Sequence, residues 1–391
     1  MIIYKLNLLT VWNHERFRNI LFQLLTIALA GWAGWTLFDN LQTNLSHRGI
    51  STGFDFLDSE AGFGIITHLV EYSESSSYKR AFLVGLLNTL LVSFFGIILA
   101  TIIGIMVGIA RLSSNWLVSH LALWYVELIR NIPLLLQIFF WYFVVLRNLP
   151  APRQSMEWGE ALFLNNRGLY VPSPIFEEQF SLVWWALAVA LVIALIVLRW
   201  ALRRQHSTGA AFPRWRVALG VVVLIPAATL ALLDFPLNWE IPALRGFNFQ
   251  GGVVMIPEFM ALLLALSIYT ASYIAEIVRG GIEAVNRGQS EAALSLGLTR
   301  GQTLRLVVMP QALRVIIPPL TNQYLNLLKN SSLAAAIAYP ELVSVFAGTV
   351  LNQTGQAVEV IGITMAVYLS ISLTISLLMN WYNHKIKLVE R

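Results

Sequence analysis

Polar and ionisable residues inside long apolar runs are the first chemistry this sequence offers. Glu127, Arg130, Gln137, Tyr273, Glu276, Asn322, Asn326, Lys329 and Ser332 all lie in or at the edge of such runs. Ionisable groups at membrane depth are costly when unpaired, so each is a structural partner or part of a path. Glu127 and Arg130 stand three apart, which lets them pair on one helix. Asn322, Asn326 and Lys329, spaced four and three, share one helical face. Such a stripe either lines a translocation path or buries against another span. Lys329 has two readings: it draws in an anionic group, or it pairs with Glu276, Glu341 or Glu359.

Catalytic chemistry finds no support. The spans hold no His-Glu-x-x-His, no Gly-x-Ser-x-Gly and no clustered carboxylate pair, so no catalytic residue is assigned. Cysteine is absent, which excludes disulfides, thiolate metal sites and a Cys nucleophile. Six histidines are scattered without zinc-site spacing, and no metal ligand is expected. A phosphate loop needs Gly-x-x-x-x-Gly-Lys-[Ser/Thr], and none of the five lysines precedes Ser or Thr. The chain cannot hydrolyse ATP by that route.

The elements that carry these residues follow from composition. Of 391 residues, 57% are hydrophobic and 12% charged, against about 25% charged in soluble domains. Eight runs are long enough to cross a bilayer, near 20–38, 82–110, 117–146, 181–199, 217–234, 255–279, 311–338 and 357–382. The first has Arg16 and Arg18 before it but no clean cleavage site, and reads as a retained anchor. With the N-terminus in the cytoplasm, sixteen Lys and Arg fall in inner segments and seven in outer ones. That bias places both termini on the cytoplasmic side, with the Arg199–Arg216 run weighing most. The outer segments 148–180 and 235–254 are rich in Pro and Gly, which disfavours regular helix. None of the outer segments is long enough for a sizeable soluble domain. The expected fold is an all-α polytopic membrane protein.

The inner loop between the sixth and seventh runs is the most informative stretch. Ser290 is placed to cap a short helix, with Glu291 in its first turn to complement the dipole. Ala292 and Ala293 keep one face slim, and Gly297 suits a left-handed helix end. Thr299 with Gln302 forms a capping box for a second helix running to Pro310. The loop reads as a pre-shaped helix–turn–helix knob on the positive side of the membrane.

Glu291-Ala292-Ala293, then Gly297, then Val307-Val308-Met309-Pro310, resembles the signature of the inner-membrane subunits of binding-protein-dependent ABC importers. Val and Met stand where Ile and Leu are more usual, and the spacing is intact. The resemblance implies a type I importer permease core with extra spans. It makes Glu291, Ala292, Ala293, Gly297 and Pro310 the contact to a separate ATPase subunit. ATP and Mg would be bound by that subunit, with no cofactor in this chain.

Further stretches resemble the polar amino-acid uptake branch: Arg130-Asn-Ile-Pro133-Leu-Leu-Leu-Gln137, Tyr273-Ile-Ala-Glu276-Ile-Val-Arg279, Lys329-Asn-Ser-Ser-Leu333 and Pro340-Glu341-Leu342. Long members of this kind resemble importers of L-amino acids, or of glutamate, glutamine, aspartate and asparagine. The implied layout is an extra span and outer loop over 1–81, core over 82–147, an insertion with two spans over 148–254, and core over 255–391 with the coupling loop at 280–310. The resemblance also implies an ATPase dimer, a periplasmic amino-acid-binding protein and a second permease, a different paralogue or an identical copy. It puts the chain in a bacterial inner membrane, in contact with lipid and not with nucleic acid. In that setting Arg130, Gln137, Tyr273, Glu276, Asn322, Asn326, Lys329 and Ser332 are the candidate path or gate. Two other readings compete: an ion-coupled secondary amino-acid carrier using Glu276 or Glu359, and an ABC permease for another small solute.

Overall fold

The computed structural model describes residues 15–47, 49, 52–210 and 212–386. The chain ends, for which a cytoplasmic side is expected, lie outside the described residues, as do Lys5, Arg48, Lys387 and Arg391. Among the described residues, seven helices are long and apolar enough to cross a membrane, and one bent pair, counted as one span, makes up to eight. They fall on the eight apolar runs.

In chain order the helices are α1 (Glu15–His47), α2 (Tyr78–Arg111), α3 (Trp116–Asn131), α4 (Leu134–Phe139), α5 (Ser181–Thr208) and α6 (Arg214–Leu232). They continue with α7 (Pro257–Glu283), α8 (Arg287–Ser295), α9 (Arg300–Thr303), α10 (Met309–Asn330) and α11 (Ala357–Ile386). The third run is the bent one: α3 and α4, with the π-helical turn Phe140–Leu146, meet at 103°. Pro133 forces this break, because it pushes Ile132 into extended backbone and has no N–H to give. The run Pro318-Pro319 sits inside an unbroken α10.

The chain divides into two compact units, Met1–Leu91 with Ile317–Arg391, and Val92–Ile316. In the second unit α7 is the central element, with Leu262, Leu266, Ile274 and Ala275 fully buried. It opens with Pro257 at its first turn, where a missing N–H costs nothing. α2 packs on it through Gly104 and Gly108. A Cβ at Gly104 would lie 2.6 Å from the Ile274 Cβ, and one at Gly108 would lie 2.8 Å from the Ala275 carbonyl oxygen. This Gly-x-x-x-Gly approach lets two backbones close together inside a bilayer, where packing rather than water exclusion drives association.

The Pro- and Gly-rich segments 148–180 and 235–254 form short strands. β1 (Met156–Trp158), β2 (Leu162–Asn165), β3 (Gly168–Val171) and β8 (Val253–Met255) form one antiparallel sheet in the order β1-β2-β3-β8. β4 (Ser173–Phe176) pairs with β5 (Leu237–Glu240), and β6 (Ala243–Arg245) with β7 (Asn248–Gln250). Each segment is too short to build a layer alone; pairing Leu169 with Met255 across α5 and α6 makes one. Phe163, Tyr170 and Phe249 stack at its centre. Between the strands, α5 and α6 form a helical hairpin turned at left-handed Gly209. Trp185, Leu195, Leu219 and Leu224 stay exposed on it, as lipid contact requires.

In the first unit, Phe56, Tyr78, Ala81, Val84, Leu342, Phe346, Val350 and Val360 form the core. Asn88 ties the outer loop to the segment after α10, donating to the carbonyls of Thr67 at 2.8 Å and Pro340 at 2.9 Å. Glu341 is fully buried beside it.

Candidate functional site

The loop after α7 forms the helix–turn–helix knob, with one shift in its start. Asn286 caps α8, its side-chain oxygen accepting from Gly288 N–H at 2.8 Å. The cap is therefore not Ser290, and Glu291 lies in mid-helix rather than the first turn. Asn286 wins because the chain leaves α7 at Ala284 and can restart at once, one turn before Ser290. The other end is as the spacing predicts. Gly297 is left-handed at φ +83. Leu298 N–H donates to the Ala293 carbonyl at 3.2 Å, and Gly297 N–H to that of Leu294 at 2.9 Å. These paired bonds close a helix on a left-handed residue and satisfy its last carbonyls. Gln302 N–H then donates to Thr299 Oγ1, and Thr299 N–H to Gln302 Oε1 at 2.9 Å, completing the capping box.

Both ends of the knob are thus locked by local bonds, and its tip is apolar. Leu296 is 85% exposed, and Leu294 is exposed beside it. Of the two alanines, Ala293 is buried and Ala292 faces outward. Glu291 lines a groove with Glu283, Arg287, Ser290, Leu304 and Val308, a cavity of about 740 Å³. Pro310 is exposed at the start of α10. Leu296 thus stands exposed at the tip of a turn whose shape is fixed by its own local bonds.

The path candidates divide between the units and sort by what they touch. In the second unit Glu276 binds Arg111 of α2 and Arg279 of its own helix, and Arg279 also reaches Glu283. Arg130 lies 4.9 Å over the Tyr273 ring, whose hydroxyl is 3.0 Å from that of Tyr269. The expected Glu127–Arg130 pair is not formed; the arginine turns to the aromatic face on α7 instead. Gln137 is buried, and its Nε2 donates to the carbonyls of Ile129 and Ile132 at 2.9 Å each. It fills the acceptors that the break at Pro133 leaves open, which is what holds a bent span together in a bilayer.

In the first unit Asn322, Asn326 and Lys329 share one exposed face of α10. Asn322 also lines a polar cavity of about 210 Å³ with Thr321, Ser376, Asn380 and Asn383, between α10 and α11. The Ser332 hydroxyl donates back to the Lys329 carbonyl at 2.7 Å. Among the described residues Lys329 makes no ion pair. Its three expected partners are otherwise engaged: Glu276 by arginines, and Glu359 by Gly53 N–H at 3.0 Å. Glu341 takes the backbone N–H groups of Val343 at 2.9 Å and Ser344 at 2.7 Å, and the Tyr368 hydroxyl at 3.1 Å.

Sequence reasoning missed Arg111, Asn286 and Leu296. The first had a signal, since Arg111 follows Gly104 and Gly108 on the same helical face and so must meet whatever they pack against.

Bundles of spans with such a loop occur in the membrane subunits of transporters, and the relatives of this chain are of that class. Residues 216–387 match the family described as binding-protein-dependent transport system inner membrane component. The chain is 57% identical to the putative amino-acid ABC transporter permease protein YhdX of Escherichia coli (strain K12), over 96% of this chain and 95% of that one. It is 52% identical to the general L-amino acid transport system permease protein AapQ of Rhizobium johnstonii, over 96% and 94%. It is 43% identical to the glutamate/glutamine/aspartate/asparagine transport system permease protein BztB of Rhodobacter capsulatus, over 96% and 95%. The chain belongs to this family of ABC transporter permeases. It is a multi-pass membrane transport subunit and not an enzyme.

Proposed function

We propose that this chain is one permease of an ABC importer that carries polar L-amino acids inward, with the knob at 287–303 docked on an ATPase dimer. The observation that carries this is the doubly locked turn presenting Leu296 at 85% exposure. A docking element that transmits force must keep its shape when pushed, and local capping supplies that. The substrate class is supported by the printed names of three relatives matched along nearly the whole chain.

In this reading the knob and both termini lie in the cytoplasm, as the excess of sixteen inner over seven outer Lys and Arg requires. ATP and Mg are held by the partner ATPase. A periplasmic amino-acid-binding protein delivers substrate at the outer side, and a second permease, a different paralogue or an identical copy, completes the pair. The core is 82–147 with 255–391, and 148–254 is an insertion. The exposed stripe Asn322, Asn326 and Lys329 faces the solute path, where an ammonium group attracts a substrate carboxylate. An ion-coupled carrier would need Glu276 free to take up a cation, and two guanidinium groups already occupy it.

Replacing Leu296 with Asp tests the docking. Membrane insertion should persist, while co-purification of the ATPase and transport both fall by about tenfold or more, the scale of losing one well-buried apolar anchor. Full retention of ATPase binding by Leu296→Asp would refute this site.

A further inference from the structure

The end of α7 that leads into the knob carries an ion cluster. Glu276 accepts from Arg111, the last residue of α2, and from Arg279, which also holds Glu283. Arg130, stacked on Tyr273 one turn away, adds a third guanidinium at longer range. One carboxylate therefore sits among positive groups from three helices. The Arg111 side chain is only 13% exposed and that of Glu276 30%, so the pair is held partly out of solvent.

The packing beneath it is equally constrained. Gly104, Gly108 and Arg111 fall on one face of α2, with spacings of four and three. The two glycines let α2 meet Ile274, Ala275 and Val278 at backbone distance, and Arg111 then closes on Glu276 just beyond. Van der Waals packing of the two glycines against Ile274, Ala275 and Val278 resists separation but supplies no directional bond that fixes the helices along their axes. A charge pair at the end of the seam removes that freedom. From Glu276 to the end of α7 is about 10 Å at 1.5 Å per residue. Three linking residues later, α8 begins at Arg287.

We infer that Glu276 is a positioning residue for energy coupling: it pins α7 to α2 through Arg111, so that displacement of the knob moves the two spans together. Without the pin, a push on α8 is absorbed as slippage of α7 along the glycine seam. The role rests on the docking proposed above, and it is distinct from that docking, since Glu276 lies outside the knob.

The test uses the full complex of both permeases, ATPase and binding protein in proteoliposomes, comparing transported amino acid per ATP hydrolysed. Glu276→Gln keeps the side-chain shape and one acceptor but removes the charge. The expected result is normal assembly and continued ATP hydrolysis, with transport per ATP reduced about tenfold, within the range of coupling energies between linked sites. Arg111→Gln should do the same from the other side of the pair, and serves if Glu276→Gln fails to fold. The double variant Arg111→Gln/Glu276→Gln should be no worse than either single change, because both remove one interaction. Glu276→Asp should recover part of the ratio. An unchanged ratio in both single variants would overturn the inference, and so would losses that multiply in the double variant. Should Leu296→Asp keep the ATPase bound, the docking reading fails by itself, while the ratio still reports on the pin.

Discussion

Glu341 shows how one buried residue organises its surroundings. It is fully buried, outside the spans, and accepts from two backbone N–H groups at the start of the turn Val343–Val350. Burial pushes its carboxyl above the ordinary value of 4.5, against the pull of the Val343 and Ser344 N–H groups and of the Tyr368 and Thr89 hydroxyls. The folded carboxyl thus keeps its proton to higher pH than the unfolded chain does. Its contribution is fully present below pH 4.5 and is lost as pH rises through the folded value. The melting temperature of detergent-solubilised protein should therefore decline as pH rises from 4.5, and Glu341→Gln should flatten that decline. Glu341→Leu should cost about 1–3 kcal/mol for each N–H left unpaired. A slope unaltered by Glu341→Gln would show that another group controls it.

At the scale of elements, the seam between α2 and α7 makes the firmest demand. A side chain at Gly104 must displace Ile274, whose Cβ is 2.6 Å from the added atom. Gly104→Leu should destabilise the protein by about 1–3 kcal/mol, the usual cost of overpacking. Gly280, later on α7, is exposed with open space within 4 Å of an added Cβ, so Gly280→Leu is the matched control and should not destabilise. Thermal unfolding of the two variants side by side distinguishes a packed seam from a general intolerance of larger residues. The break between α3 and α4 is the contrasting element, held open by Gln137 rather than by close packing.

Within the second unit, α7 links two features at its opposite ends. Its first turn follows β8 of the sheet, and its last leads into the knob, about 40 Å away at 1.5 Å per residue. The sheet and the knob therefore lie on opposite faces of the membrane. The natural sequence has no cysteine, so single replacements report side directly. Leu296→Cys should react with a membrane-impermeant maleimide only in inside-out vesicles from cells lacking the ATPase, and Trp158→Cys on β1 only in intact cells with a permeable outer membrane. The reverse pattern would invert the proposed orientation.

The eight spans, the capping box at Thr299 and the left-handed turn at Gly297 were all legible in the sequence. Each is set by local rules: apolar length, side-chain reach over three residues, and the backbone freedom of glycine. The start of α8 was misread by one turn because two capping residues compete, and where α7 ends decides between them. Tertiary structure alone decided the partners of the charges. Arg111 and Glu276 are 165 residues apart, so only the packing of α2 on α7 reveals their pairing. The sheet is a second case, since β3 and β8 pair across the whole α5–α6 hairpin. The knob, its locks and its kind were written in neighbouring residues, whereas what holds its supporting helix in place depends on contacts that no local pattern encodes.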